Sequence, residues 1–162
     1  MLDQRGERQD ALALARGAAE TFLSRTESLA YIKECQHLLA EVLLWSVEET
    51  PDHPERAALL KTVKGLLKSR EGSLKGMPVF TAGVLRHRAM LAHLSGKTRP
   101  AAVQLQAALV ESQRLSLRLE EAHTRFAIAR LGVADPAESA RHVAEATAIL
   151  EQTGAQSALA RL

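Results

Sequence analysis

The feature of this sequence that most limits its fold is the recurrence of apolar residues at every third or fourth position. One series of this kind consists of Tyr31, Cys35, Leu38, Val42 and Trp45. Another consists of Ala140, Val143, Thr147 and Leu150. An α-helix places residues with this spacing on one face, so each series predicts a helix with an apolar stripe. No segment alternates between apolar and polar residues over the length of a strand, and the predicted fold class is therefore all-α.

Capping residues and glycines separate the stripes and predict where the helices begin and end. Asp52 with Glu55 and Asp135 with Glu138 each fit a capping box with a proline inside it, and Ser24 with Glu27 has the same spacing. Four glycines follow periodic stretches and predict helix ends: Gly76, Gly96, Gly132 and Gly154. The sequence thus predicts seven helices, at residues 3–23, 25–49, 53–75, 79–95, 99–116, 118–131 and 136–153.

A repeat in the second half of the chain indicates how these helices are organised. A shift of 37 residues lays His87 and Arg88 over Thr124 and Arg125. A shift of 38 residues lays Ala102, Leu105 and Ala108 over Ala140, Val143 and Ala146. Two-helix repeats of roughly this length are typical of α-solenoids. We therefore predict a single domain over residues 1–162, with antiparallel helical hairpins stacked as a short α–α superhelix of about seven helices.

The segments LEEAHTRFAIARLG and PAESARHVAEATAILEQTGA resemble the two helices of a tetratricopeptide-like repeat. Repeats of this kind occur in large bacterial signalling proteins, including regulatory ATPases, cyclases, Ser/Thr kinases and regulators of the maltose-activator type. The resemblance implies a groove that binds proteins or peptides, or in some members a small effector, within a longer polypeptide. The chain begins on what resembles the second helix of a pair, so the resemblance also implies a fragment. It assigns a function to no individual residue.

Motifs that would indicate an enzyme are missing from the sequence. Cys35 is the only cysteine, so neither an internal disulfide nor a cysteine-based zinc site can form. The six histidines form no His-Glu-x-x-His motif, and there is no glycine-rich phosphate loop. His87 lies on an apolar stripe, where it is either a core residue or a buried ligand or pH-sensitive group. We predict that the chain is not an enzyme and has no catalytic residues, no cofactor and no metal ion.

Charge is distributed unevenly and indicates candidate binding residues. Residues 51–100 contain ten lysines and arginines but only three carboxylates, whereas residues 1–50 contain nine carboxylates and five basic residues. Lysines with helical spacing in the basic segment share one face, and an acidic protein or peptide could bind there. The candidate partner-binding residues are Lys61, Lys64, Lys68, Arg86 and Arg88.

The same charges bear on two other kinds of partner, a second copy of the chain and nucleic acid. The acidic first part of one copy could pair with the basic middle of a second copy, giving a homodimer. Nucleic acid is disfavoured, because no aromatic residues lie between the lysines and the net charge is only +2. The N-terminus is polar, and no run of about 18 apolar residues suggests a membrane span, so we expect a cytoplasmic protein.

These inferences together predict a non-catalytic protein–protein interaction or regulatory scaffold module of a bacterial signalling protein. The alternative is a small-effector-sensing repeat domain that controls an attached catalytic or DNA-binding domain.

Overall fold

The structure is a computed structural model that describes residues 4–24, 30–70 and 78–155. These residues form seven α-helices and no strand, so the all-α prediction is confirmed for this part of the chain. The helices are α1 (Gln4–Ser24), α2 (Ala30–Glu49), α3 (Arg56–Arg70), α4 (Thr81–Leu94), α5 (Thr98–Arg114), α6 (Arg118–Arg130) and α7 (Pro136–Thr153). A short 3-10 turn, Pro78–Phe80, precedes α4.

The chain divides into two compact units, Met1–Gly76 and Met77–Leu162. In the first unit, α1, α2 and α3 all pack against one another. In the second unit, α4 packs on α5 and α6, α5 packs on α6, and α6 packs on α7. Tight turns join consecutive helices of the second unit, which makes neighbouring helices antiparallel. The single domain and the superhelix stay predictions.

The start of α7 is the clearest case of a helix boundary fixed by local sequence. Asp135 has an extended backbone, and its side chain accepts a hydrogen bond from the Glu138 amide at 2.9 Å. Pro136 is the first helical residue, where a missing N–H costs nothing because it has no partner within the helix. The predicted N-cap at Asp135 and the predicted start at residue 136 are confirmed, whereas the return hydrogen bond from the Asp135 amide to the Glu138 side chain stays a prediction.

The start of α3 differs from the prediction, because the helix begins at Arg56 and not at residue 53. Pro54 disfavours the helical conformation at the residue before it, which is His53. The Glu55 amide donates to Nδ1 of His53 at 3.1 Å, and the Glu55 carboxylate pairs with Arg16. Glu55 is therefore engaged elsewhere and does not complete a capping box with Asp52. The predicted Ser24–Glu27 box extends beyond the described residues, and Gly76 lies outside them.

The predicted helix ends at Gly96, Gly132 and Gly154 are confirmed, since all three have positive φ angles. At Gly154, with φ 69°, the amide of the next residue, Ala155, donates to the carbonyl of Leu150 at 3.0 Å. This hydrogen bond satisfies a carbonyl that the end of the helix would otherwise leave free. At the end of α5, the equivalent hydrogen bond runs from the Leu117 amide to the Ser112 carbonyl at 2.8 Å. Here Ser116, with φ 54°, occupies the position that glycine occupies at the end of α7.

The apolar stripes predicted on α2 and α7 have the wrong phase. Leu38 is 57% exposed and Val143 is 40% exposed. Among the α2 residues whose burial the structure describes, the buried ones are Gln36, Ala40, Leu43, Leu44 and Val47. Those of α7 are His142, Ala146, Ile149 and Leu150, of which only Leu150 belongs to the predicted stripe. Apolar residues lie on several sides of both helices, so more than one stripe satisfies the three–four spacing, and packing against the neighbouring helices selects one of them.

Candidate interaction surfaces

The exposed side of α3 carries the predicted lysines, and we call Lys61, Lys64 and Lys68 the lysine face. All three are exposed. The opposite side of the helix is buried and consists of Leu59, Val63, Leu66 and Leu67. The spacing of three and four residues that puts the lysines on one face of the helix also orients these apolar side chains toward the core of the first unit. The helix is thus amphipathic, and burial of its apolar side fixes the lysines at the surface.

Among the described residues, no carboxylate compensates the positive charge of the lysine face. Within the part of the chain that the structure describes, none of the three lysines forms an ion pair with a carboxylate. Glu55 lies just before α3, but its carboxylate is paired with Arg16 of α1. An exposed cluster of like charges without counterions attracts anionic groups, and this attraction weakens as salt is added.

Arg86 requires a correction, because it cannot be part of an exposed basic surface. Its side chain is only 2% exposed and lies on the buried side of α4, in the second unit. Its Nε and one Nη each lie 3.3 Å from a carboxylate oxygen of Glu120 on α6. This two-point ion pair joins α4 to α6, so the positive charge is neutralised inside the unit. We therefore remove Arg86 from the candidate partner-binding residues.

Arg88 lies two residues after Arg86 on α4 and is half-buried. It also has an interaction partner within the chain, so it is not a free cation. Of the five predicted residues, the three lysines have the exposure that binding a partner requires.

A shallow groove runs between α4 and α5, and sequence reasoning did not find it. Its volume is about 550 Å³, and it is lined by Thr81, Leu85, Val103, Gln106, Ala107, Val110 and Glu111. Val103 and Val110 are 66% and 55% exposed. The one signal in the sequence is that these two valines are seven residues apart, two helical turns on the same face. That signal is weak, because single exposed apolar residues are common on protein surfaces.

A network of charged side chains joins α6 to α7. Arg125 donates to Glu121 at 2.9 Å and also pairs with Glu145. Burial alone would raise the pKa of Glu121, but hydrogen bonds from Arg125 and Gln113 and the nearby positive charges outweigh it and hold the pKa below its usual range. Glu121 is therefore ionised at neutral pH, and the network is a structural connection between helices.

His142 adjoins this network from α7 and is only 5% exposed. Its Nδ1 lies 3.4 Å from an Nη of Arg125, and its Nε2 lies 3.8 Å from a carboxylate oxygen of Glu138. Burial lowers the pKa of His142, and the charge of Arg125 lowers it further, against the smaller effects of Glu138 and Glu145. A guanidinium can only donate, so Nδ1 of the neutral ring accepts from Arg125 and the ring proton is on Nε2.

Comparison of the chain with protein-family models, with curated proteins and with solved structures finds no match. The resemblance to tetratricopeptide-like repeats is therefore neither supported nor contradicted, and it stays a prediction. None of the described helices is long and apolar enough to cross a membrane. The predicted absence of catalysis, cofactor and metal also stays a prediction.

Proposed function

We propose that the chain is a non-catalytic scaffold module that binds an acidic protein segment through the lysine face of α3. The observation that carries the proposal is the exposure of Lys61, Lys64 and Lys68 on one helix face without carboxylate partners among the described residues. Lysine side chains keep considerable freedom when they are unpaired, and they can adapt to carboxylates that are spaced irregularly. The proposed setting is the cytoplasm, as part of a bacterial signalling protein with tetratricopeptide-like repeats.

The test is the affinity for a fluorescent peptide rich in Asp and Glu, measured by anisotropy at low and high salt. The triple variant Lys61→Glu, Lys64→Glu, Lys68→Glu should lose binding by at least tenfold, because it replaces attraction by repulsion. Its matched control is Lys97→Glu, Arg130→Glu, Arg141→Glu, which changes the net charge equally at exposed positions of the second unit. The control should keep most of the affinity. Far-UV circular dichroism would establish that both variants remain helical.

Two outcomes would refute this function. If the two triple variants weaken binding equally, the peptide responds to net charge and not to the lysine face. If a nucleic acid binds more tightly than the peptide, with affinity that falls steeply as salt rises, the surface recognises phosphates. Peptide binding should also weaken with salt, but less steeply, because a flexible peptide has a lower charge density than a duplex.

A second candidate function is the sensing of a small effector, which the groove between α4 and α5 favours. Its volume of about 550 Å³ and its mainly apolar lining resemble those of small-molecule sites. A ligand that binds only the folded chain must raise the melting temperature, so a thermal-shift screen of metabolites tests this candidate. A substitution in the groove, Ala107→Trp, should abolish any shift that arises there.

A further inference from the structure

The outer side of α7 corresponds to a side of α5 that another helix covers. The shift of 38 residues that relates α5 to α7 in the sequence also relates their ends, since the left-handed residues Ser116 and Gly154 lie 38 positions apart. The amide after each of these residues donates to the carbonyl five positions before it, at Ser112 and at Leu150. Residues of α7 therefore occupy positions equivalent to those of α5 residues 38 positions earlier.

One row of residues is buried on α5, whereas its equivalent on α7 is open. The buried row on α5 consists of Ala101, Leu105 and Leu109. The equivalent row on α7 consists of Ser139, Val143 and Thr147, of which Val143 is 40% exposed and the other two are half-buried. The helix α5 packs on both α4 and α6, while α7, among the described helices, packs extensively on α6 alone. Because the pair α4–α5 corresponds to the pair α6–α7, the additional cover on α5 comes from α6.

The open row on α7 is less polar than its residue types suggest. The Thr147 hydroxyl donates to the Val143 carbonyl at 2.9 Å, and the Ser139 hydroxyl donates to the Ala134 carbonyl at 3.5 Å. Both hydroxyls are thus engaged within the chain, which leaves the Val143 side chain and the Thr147 methyl group for contact with a partner. Side chains four positions apart form the kind of ridge that fits into the groove of a packed helix. The row therefore keeps the spacing that accepts a helix.

Glu151 continues the row by one turn and determines the charge that a partner needs. Its side chain is exposed, and it forms no ion pair with another described residue. At the equivalent position of α5, the side-chain amide of Gln113 donates to the Glu121 carboxylate of α6 at 3.3 Å. A carboxylate at this position can only accept. A helix that covers α7 as α6 covers α5 therefore needs a basic residue where α6 has Glu121.

We propose that the outer row of α7, formed by Ser139, Val143, Thr147 and Glu151, binds an amphipathic α-helix of a partner protein in the way that α5 binds α6. The partner helix has a basic residue in its first turn, followed at intervals of three and four by residues that pack on the row. The helix α6 of a second copy does not meet this requirement, because its Glu121 would face Glu151. A single helix buries less than the roughly 800 Å² per partner of a standard interface, so binding should be weak and reversible. The outer row lies in the second unit, so the proposal does not depend on the lysine face.

Peptide binding followed by NMR tests the outer row. The probe is a peptide of residues 117–132 with Glu121→Arg, added to the isotope-labelled full chain. Amide signals around Val143 and Thr147 should shift in a saturable way. Val143→Lys should weaken the affinity at least tenfold, whereas the matched control Val103→Lys, at an exposed valine of α5, should keep it. Far-UV circular dichroism would establish that both variants remain helical.

An exchange of charges tests the role of Glu151. The same peptide with its natural Glu121 should bind the wild-type chain at least threefold more weakly than the probe does. In the Glu151→Lys variant this preference should reverse, because attraction and repulsion change places. Equal affinities of the two peptides for both chains would overturn the proposed pairing.

Two further outcomes would overturn the proposal. If no signal shifts in a saturable way at millimolar peptide, the outer row is a solvated capping face, of the kind that closes a helical repeat array. If the mass of the chain without peptide rises with concentration and returns to 17.6 kDa in Val143→Lys, a second copy occupies the row. Light scattering would measure that mass.

Discussion

The protonation of His142 should make the stability of the second unit depend on pH. Burial holds the pKa of the folded ring below its ordinary value, and the charge of Arg125 adds to this effect. In the unfolded chain the ring has an ordinary pKa near 6.5, so just below that pH the unfolded state binds more protons. The free energy of unfolding should therefore be at its full value above about pH 6.5 and should decrease as the pH falls. Each unit by which the pKa is lowered corresponds to about 1.4 kcal/mol.

Two measurements check this prediction. NMR titration of the ring protons of His142 should place its midpoint below pH 6.5. Urea denaturation at pH 7.5, 6.5 and 5.5 should show a loss of stability that is smaller in His142→Gln, because that variant lacks the titrating ring while keeping polar groups near Arg125. A midpoint at or above 6.5, or the same loss in both proteins, would contradict the assignment of the pH dependence to His142.

At the scale of helices, the end of α5 contains strain that a single substitution should relieve. Ser116 has φ 54°, in the left-handed region that a residue with a side chain occupies at a cost. Glycine closes α4, α6 and α7 in the same conformation, at Gly96, Gly132 and Gly154. Ser116→Gly should therefore raise the free energy of unfolding by about 0.5–1 kcal/mol, while the opposite change, Gly154→Ser, should lower it by about 1 kcal/mol. Urea denaturation would measure both. A destabilised Ser116→Gly would show that the serine side chain contributes more than the strain costs.

The helices also show which features could be predicted from the sequence. The cap at Asp135 and the ends at Gly96, Gly132 and Gly154 depend on residues within one turn, so local sequence sufficed. The left-handed Ser116 was missed because serine is not a usual residue for that conformation. The exposure of Leu38 and Val143 depends on which side of each helix its neighbours cover, and spacing alone does not determine that.

Only part of the candidate site could be predicted, because some of its features depend on local sequence and others on residues far away in the chain. The lysine face follows from the spacing of Lys61, Lys64 and Lys68 on an amphipathic helix, which is a local property. The burial of Arg86 depends on Glu120, 34 residues further along the chain, and nothing near Arg86 in the sequence indicates that pairing. A basic residue in a basic segment looks like a surface residue unless its distant partner is known. The groove between α4 and α5 also requires two helices to be placed side by side before it can be recognised.

At the scale of the whole molecule, the second unit should fold without the first. Its helices pack on one another in sequence from α4 to α7, and α4 is also joined to α6 by the ion pair between Arg86 and Glu120. Its buried apolar residues come from all four helices, among them Val84, Met90, Leu105, Ala122, Ile128, Ala146 and Leu150. Most of these contacts connect neighbouring elements, so the loops that must close on folding are short and their entropy cost is modest.

We therefore expect a fragment of residues 77–162 to be helical by circular dichroism and to unfold cooperatively on heating. His142 should titrate in the fragment with the same midpoint as in the full chain. Burial is the main cause of its lowered pKa, and the charged groups that add to or oppose this effect, Arg125, Glu138, Glu145 and Arg141, all belong to the second unit. A matched fragment with Ala146→Asp should be unfolded, since it buries an unpaired charge at a position that is fully enclosed. If the fragment melts gradually and His142 titrates near 6.5, the second unit needs the rest of the chain to fold. That result would favour the prediction of one domain over residues 1–162, whereas a cooperative fragment would establish residues 77–162 as a domain.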